Sequence, residues 1–359
     1  MNKRPKVLII QESVMTYRAP IYELIAKEVE LEVGYTVKNE VKESTFPIFK
    51  MPYRKIGPFT WHKKLGKTLS KYDVIVFGPH LSLIRLISKV YFKHKYKLVT
   101  WSIGVHVSYD RHYDLTQKPS FKDKVFEDIQ DRADASVFYM PEPIEYWSKY
   151  RKINKEQYFV AHNTVDVAHC DNYLDFDKRD SILFVGTLYR QKGLGELVEA
   201  YNIAKKQCKK LPIVRIVGKG PEKDAIQQQI NELKLQDDIE LCGPVYEEEI
   251  LKEYFLRAII CVSPKQAGLS VLKSFGYGVP FVTRTNAITG GERSNIINGK
   301  NGILYDTVEE LAEIIKATAV EPDRFKEMSK SAREYYTKNA SPEKMARGVL
   351  DAINYALKH

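Results

Sequence analysis

Along this 359-residue chain, apolar runs of four to seven residues alternate with longer stretches of helical period. That alternation constrains the fold most, because short buried strands spaced by amphipathic helices are the pattern of βαβ units and parallel sheets. Val7–Ile10, Leu31–Tyr35, Val74–Phe77, Leu98–Trp101 and Ala135–Tyr139 read as strands of a first series. Tyr17–Val29, Ile84–Phe92 and Phe121–Ala133 read as the helices between them. A second series of strands runs through Ile182–Val185, Ile213–Val217, Ile239–Leu241, Ile259–Val262 and Pro280–Thr283. Helices at Leu194–Lys206, Glu222–Leu233, Glu247–Leu256, Leu269–Tyr277 and Val308–Ala317 separate these.

The acidic, apolar-poor stretch Asp171–Asp180 reads as the linker between the series. The expected organisation is an α/β chain of two Rossmann-like domains, 1–170 and 171–340, facing a cleft. A final helix at 341–359 has Ser341 as N-cap and Pro342 at its first position, and is expected to pack back on the first domain. Ligands of such folds bind at the carboxyl ends of the strands.

Composition excludes several alternatives. With 44% hydrophobic and 28% charged residues the chain can bury real cores, so it is not disordered throughout. No run approaches the ~18 uncharged apolar residues of a membrane span. The opening MNKRPKVLII is too short in apolar residues for a secretory segment. Cys170, Cys208, Cys242 and Cys261 lie far apart without CxxC pairs, which suggests neither zinc nor disulfides and fits a reducing cytoplasm.

The net charge of +10 is local. Residues 51–100 hold eleven Lys/Arg and one acid, Asp73, while the rest of the chain balances. One patch therefore seeks an anionic partner. Arg85, Lys89 and Lys93 recur every four residues, with Lys63 and Lys64 nearby and Trp61, Tyr72, Tyr91, Phe92 and Tyr96 interleaved. A basic amphipathic helix with aromatics suits an anionic membrane interface, though the same pattern fits a helix covering a sheet with its basic face in water. Nucleic acid is the other anionic partner, but no recognised binding motif is present.

Four features of the second half point to phosphate and nucleotide. Phe184-Val185-Gly186-Thr187-Leu188-Tyr189-Arg190-Gln191-Lys192-Gly193 is a strand, a glycine turn and two cations just before a helix, whose free amides attract anions. Val217-Gly218-Lys219-Gly220-Pro221 repeats the strand and turn, and Leu241-Cys242-Gly243-Pro244-Val245 follows a third strand. Each of these three also fits an ordinary βα loop when taken alone. The fourth, Val262-Ser263-Pro264-Lys265-Gln266-Ala267-Gly268-Leu269-Ser270, leads into a helix carrying Lys273 and ends at Gly276-Tyr277-Gly278-Val279-Pro280. Helix-start amides beside Lys265 make an anion pocket, and Lys273 is expected to face the same cleft.

In order and spacing these segments resemble the retaining GT-B glycosyltransferases of family 4, from about 182 to 305 and including Asn163-Thr164-Val165-Asp166. The resemblance implies that Lys192 contacts the donor diphosphate and that Val245 lies against the nucleobase. It also implies that Gly268, Leu269 and Ser270 give amides to the phosphates. The sequence departs from the family where its VGR arginine is Thr187, with Arg190 as a substitute cation. Both family glutamates of the E-x7-E pair are lysines here, Lys265 and Lys273. An ammonium only donates, so roles that need a carboxylate acceptor for the sugar and the ribose do not carry over unchanged.

The first half resembles the family less. The loop Tyr17-Arg18-Ala19-Pro20 is similar to a Y-R-x-P variant of some bacterial surface-polysaccharide transferases, which makes Tyr17 and Arg18 candidates for a phosphate or sugar hydroxyl. Arg18 also fits a surface arginine at a helix start. His106 follows a strand and Gly104, where the family often places a histidine near the donor sugar, and is the catalytic candidate; His80 is a weaker rival.

The expectation is thus a cytoplasmic enzyme, peripheral on the inner face of the cytoplasmic membrane. It moves a sugar from a nucleotide diphosphate donor to a lipid-linked or polysaccharide hydroxyl, without cofactor or metal. The alternatives are a non-catalytic nucleotide-sugar or glycan binder of the same fold, and a nucleic-acid binder using the patch at 51–100.

Overall fold

The structure is a computed structural model that describes residues 4–80, 82–105, 118–167 and 176–359. The described residues form two compact units. One holds those before 107, between 114 and 166, and 342–359; the other holds those between 167 and 341.

In the first unit, strands β1 (Lys6–Val14), β2 (Glu30–Asn39) and β3 (Ile48–Lys50) are followed by a hairpin, β4 (Tyr53–Ile56) with β5 (Phe59–His62). Then come β6 (Val74–Phe77), β7 (Lys97–Ser102), β8 (Ala135–Phe138) and β9 (Tyr158–Val160). The order β3-β2-β1-β6-β7-β8-β9 is parallel throughout, and the chain reverses its direction across the sheet between β1 and β6. Strands such as β6 and β8 are buried at every residue, as a sheet covered on both faces requires. The C-terminal helix Pro342–Lys358 covers one face, with Met345, Val349, Ala352, Ile353 and Ala356 packed among Val7, Ile9, Val99 and Val137. Leu65, Leu69, Leu86 and Ile129 cover the other, against Leu8, Ile75 and Leu98.

The second unit contains β10 (Ser181–Val185), β11 (Ile213–Val217), β12 (Ile239–Gly243), β13 (Ala258–Val262), the short β14 (Gln266–Ala267), β15 (Phe281–Arg284), the short β16 (Ile288–Thr289) and β17 (Gly302–Tyr305). Its six-stranded parallel sheet runs β12-β11-β10-β13-β15-β17, with the reversal between β10 and β13. Ile182, Phe184, Leu197, Tyr201, Ile216 and Ile260 centre its core.

The strand pattern read from sequence recurs here with ends shifted by a few residues. The hairpin, β9, β17 and the helices Glu142–Ser148 and Pro322–Asn339 were not anticipated. Two expectations change. Of the linker 171–180, residues 171–175 lie outside the described residues, but Phe176–Lys178 form a 3-10 turn and Arg179 is buried. Its guanidinium donates to the carbonyls of Ala258 (2.8 Å), Gly278 (2.9 Å) and Tyr277 (3.2 Å), so this end of the segment is built into the second unit. The helix expected over Ile84–Phe92 is α-helical only at Ile84–Ile87 and continues as a 3-10 turn, Ser88–Tyr91. At three residues per turn a four-residue spacing drifts off one face, and Lys93 lies beyond the turn. Arg85, Lys89 and Lys93 are therefore not one helical stripe.

Candidate nucleotide-sugar site

Where the second sheet reverses, a cavity of about 560 Å3 opens at the carboxyl ends of β10 and β13. The loop after β10 lines it with Gly186, Thr187, Tyr189, Gln191 and Lys192. The other wall is Gln266, Gly268, Leu269 and Ser270, leading into helix Ser270–Gly276. A crevice of this kind is where open α/β sheets bind ligands. Its floor depends on Gly218, whose φ is +155°. A Cβ there would stand 1.8 Å from the Gly186 carbonyl oxygen, so only glycine lets the loop after β11 support the loop after β10.

Lys192 is the cation of this cavity. It is partly buried and forms no ion pair among the described residues. Burial holds its ammonium below the usual lysine range, an effect that Cys261 and Glu292 partly offset. A half-desolvated, unpaired ammonium beside helix-start amides is suited to a diphosphate.

The two lysines in the family's glutamate positions are occupied differently. Lys265 pairs with the buried Glu196 at 3.6 Å, and Glu196 also receives Arg284 Nε (2.7 Å) and the Tyr305 hydroxyl (2.9 Å). Its aliphatic stem crosses Gly193, where any Cβ would approach Lys265 Cγ to 2.7 Å at a φ of +69°. Lys273 donates to Glu248 at 2.7 Å, and the Tyr277 hydroxyl donates to the same carboxylate at 2.9 Å. Neither lysine lines the cavity. Arg190 is exposed outside it, and Val245 is half-buried outside it, after the open turn at Gly243. Thr187, Lys192, Gly268, Leu269 and Ser270 are thus brought together, and Tyr189, Gln191 and Gln266 join them. All three of these additions stood within segments singled out in the sequence, Tyr189 and Gln191 in the first and Gln266 in the fourth; Glu196 and Glu248 gave no local signal.

In the first unit Arg18 is not a surface arginine. It is 8% exposed, donating to Asn163 Oδ1 (2.8 Å) and Met345 Sδ (3.0 Å), with Tyr17, Trp101 and Tyr139 rings within 6 Å of its guanidinium carbon. These two hydrogen bonds tie the C-terminal helix to the Asn163-Thr164-Val165-Asp166 segment. Tyr17 keeps about a third of its surface open. His106 lies outside the described residues. The chain leading to it is fixed by a buried network. The Ser102 hydroxyl donates to Gln130 Oε1 (2.6 Å) and accepts from the Gly104 amide (3.0 Å), while Thr100 and Ser136 share a hydrogen bond (2.7 Å). His80 sits in a separate, smaller cavity.

Arg85 is drawn from the basic patch into the hairpin, stacking over Trp61 (4.7 Å) and donating to the His62 carbonyl (2.6 Å). Lys63, Lys64, Lys89 and Lys93 form no ion pairs among the described residues. Ile56, Phe59, Trp61, Ile84, Tyr91 and Phe92 are exposed around them. No helix among the described residues is long and apolar enough to cross a membrane, and no group of three metal-ligating side chains occurs among them.

Residues 171–335 match the family of glycosyl transferases group 1. Anabaena HepE, solved in complex with UDP-glucose, superposes with a TM-score of 0.69 at 17% identity over 98% of this chain and 99% of that one. The fold is that of the GT-B glycosyltransferases. Among curated relatives, an exopolysaccharide phosphotransferase of Streptomyces coelicolor is 31% identical over 134 residues, 36% of this chain and 14% of that protein. The alpha-monoglucosyldiacylglycerol synthase of Acholeplasma laidlawii is 25% identical over 170 residues, 46% of this chain and 41% of that protein. The chain therefore spans well under two thirds of the length of either relative. The cavity of Lys192 lies within the residues that match this family, at the reversal of the second sheet.

Proposed function

We propose that this chain transfers a sugar from a nucleotide diphosphate donor to a hydroxyl of a lipid-linked or polysaccharide acceptor. The observation that carries the reading is the cavity between β10 and β13, where unpaired Lys192 faces the amides of Gly268, Leu269 and Ser270. Cleavage of the glycosidic bond leaves negative charge on the nucleotide diphosphate. Fixed donors already aimed at that charge lower the barrier without reorganising, and no metal is needed. Support for a UDP-sugar comes from the HepE complex with UDP-glucose. The lipid synthase relative supports a lipid-linked acceptor. The unpaired lysines of 51–100 with their exposed aromatics support a place on an anionic inner membrane surface rather than on nucleic acid.

Retention of configuration and the family 4 assignment belong to the same proposal, with His106 beside the transferred sugar and the first unit holding the acceptor. A second reading, binding without turnover, is favoured by Lys265 and Lys273, which replace both family carboxylates and pair with Glu196 and Glu248 respectively. Incubating the full chain with UDP-, GDP-, ADP- and dTDP-sugars and with lipid-linked acceptors separates them. Nucleotide release that disappears in Lys192→Ala supports transfer. Nucleotide binding with no release under any acceptor supports the second reading.

A further inference from the structure

Strands β4 and β5 stand apart from the seven-stranded sheet as a hairpin of their own, turned at Gly57-Pro58. Two strands alone are marginally stable in water, so this hairpin keeps its place through what its inner face is tied to. Phe59 and Trp61 are exposed, with Ile56 and Arg54 directly opposite them on β4, while the alternating Thr60 and His62 are buried. The Thr60 amide donates to the Ser82 carbonyl (2.8 Å). Arg85 donates to the His62 carbonyl (2.6 Å) and lies over the Trp61 ring (4.7 Å).

His62 is fully buried, and neither of its ring nitrogens has a hydrogen-bond partner among the described residues. A neutral imidazole carries one donor and one acceptor, so leaving both unmet costs stability. Tyr53 stands opposite it on β4. The charged groups of the adjoining elements are Arg54, Lys55, Lys63, Lys64, Lys67 and Arg85, none of them acidic. Asp73, the one acid of 51–100, accepts from the Lys6 amide (2.7 Å) instead. Burial and then the Arg85 charge hold the His62 ring below the ordinary imidazole range. A proton here sets a second cation beside a guanidinium, out of water and without an acceptor.

We propose that His62 is a proton-operated latch: neutral, it keeps the hairpin down on the first unit, and protonated, it lifts the hairpin and frees Trp61 and Arg85 to dock on an anionic bilayer. Naming a bilayer as the partner rests on the membrane reading above. Charge and polarity fit it, since Ile56, Phe59 and Trp61 form an apolar tip. Beside the tip, Arg54, Lys55, Lys63 and Lys64 are exposed without ion pairs among the described residues. The closed form binds the proton less well than the open one. Its stability is therefore full at alkaline pH and declines as pH falls below about 6.5. By reciprocity, lipid that captures the open hairpin raises the proton affinity of the ring.

The test uses the full chain and acrylamide quenching of Trp61, taken as the difference between wild type and Trp61→Phe, at pH 8 and pH 5. Trp61 is expected to become about threefold more quenchable at pH 5. His62→Phe and His62→Gln, each checked for native circular dichroism, carry no titrating ring and are expected to keep the pH 8 value at both. No acid response in the wild type, or the same response in a variant that folds, overturns the inference. Co-sedimentation with vesicles of phosphatidylglycerol and phosphatidylcholine reports the partner separately. Wild-type binding is expected to strengthen about threefold at pH 5 beyond any rise in the His62 variants. An acid response of Trp61 that needs His62, without vesicle binding, leaves the latch and sinks the membrane reading. Vesicle binding with no response that needs His62 sinks the latch alone.

Discussion

The Lys273 ammonium lies 2.7 Å from the Glu248 carboxylate, which also accepts from the Tyr277 hydroxyl. A position expected to carry a lone cation therefore carries a neutral pair, and the carboxylate arrives from the start of a different helix, Glu248–Leu256. Lys273 is mostly covered and Glu248 about half exposed, so the pair is worth roughly 1 kcal/mol or less. Lys273→Glu sets two carboxylates together and is expected to lower the Tm more than Lys273→Met does. Adding Glu248→Lys is expected to restore most of the loss, which thermal melts of the three variants will show.

Lys192→Ala is expected to weaken nucleotide diphosphate binding at least tenfold, since charge-assisted hydrogen bonds contribute about 1.5–3 kcal/mol. Its lowered pKa adds a pH signature: affinity falls at a lower alkaline pH than an exposed lysine would give. In Lys192→Arg that decline is expected to vanish, because guanidinium keeps its proton. Calorimetric titrations across alkaline pH check both.

Glu127, 3% exposed on helix Phe121–Arg132, is pushed up to about 7 by burial, against the pull of Arg151. The unfolded chain releases this proton near 4.5 and the folded one only near 7, so stability falls as pH rises through that window. Glu127→Gln is expected to flatten the slope and to add up to roughly 3 kcal/mol above pH 7. Chemical denaturation at pH 5 and pH 8 measures it; an unchanged difference between the two would contradict the assignment.

Arg18→Ala leaves a void among three aromatic rings and removes the hydrogen bond to Asn163 Oδ1. A loss of about 3 kcal/mol is expected. Arg18→Lys should recover little, because an ammonium cannot bond Asn163 and Met345 in one plane. Urea midpoints decide it, and nucleotide affinity at the second unit is expected to stay unchanged.

Gly218→Ala drives a Cβ against the Gly186 carbonyl and should deform the donor cavity. Nucleotide affinity is expected to fall more than tenfold, readable by calorimetry on samples with native circular dichroism.

The sequence by itself determined what depends on neighbours along the chain. Val74–Phe77 was legible as a strand to the residue, because burial on both faces demands a continuous apolar run, and Ile213–Val217 was legible because its β-branched residues flank a single Arg215. The Gly186–Lys192 turn and the Gly268–Ser270 helix start were legible because loop and helix-end chemistry is local. Only the tertiary structure decided where charges end their search for partners. Lys265 was drawn to Glu196 and Lys273 to Glu248, across separations of 69 and 25 residues, and Arg18 to Asn163 and Met345. The same holds for the smaller cavity in the first unit, where parallel pairing of β1 and β6 brings Glu12 and His80 near each other and the antiparallel hairpin supplies Thr60. Periodicity is written between successive residues, whereas an ion pair or a pocket is written between elements that only folding makes adjacent.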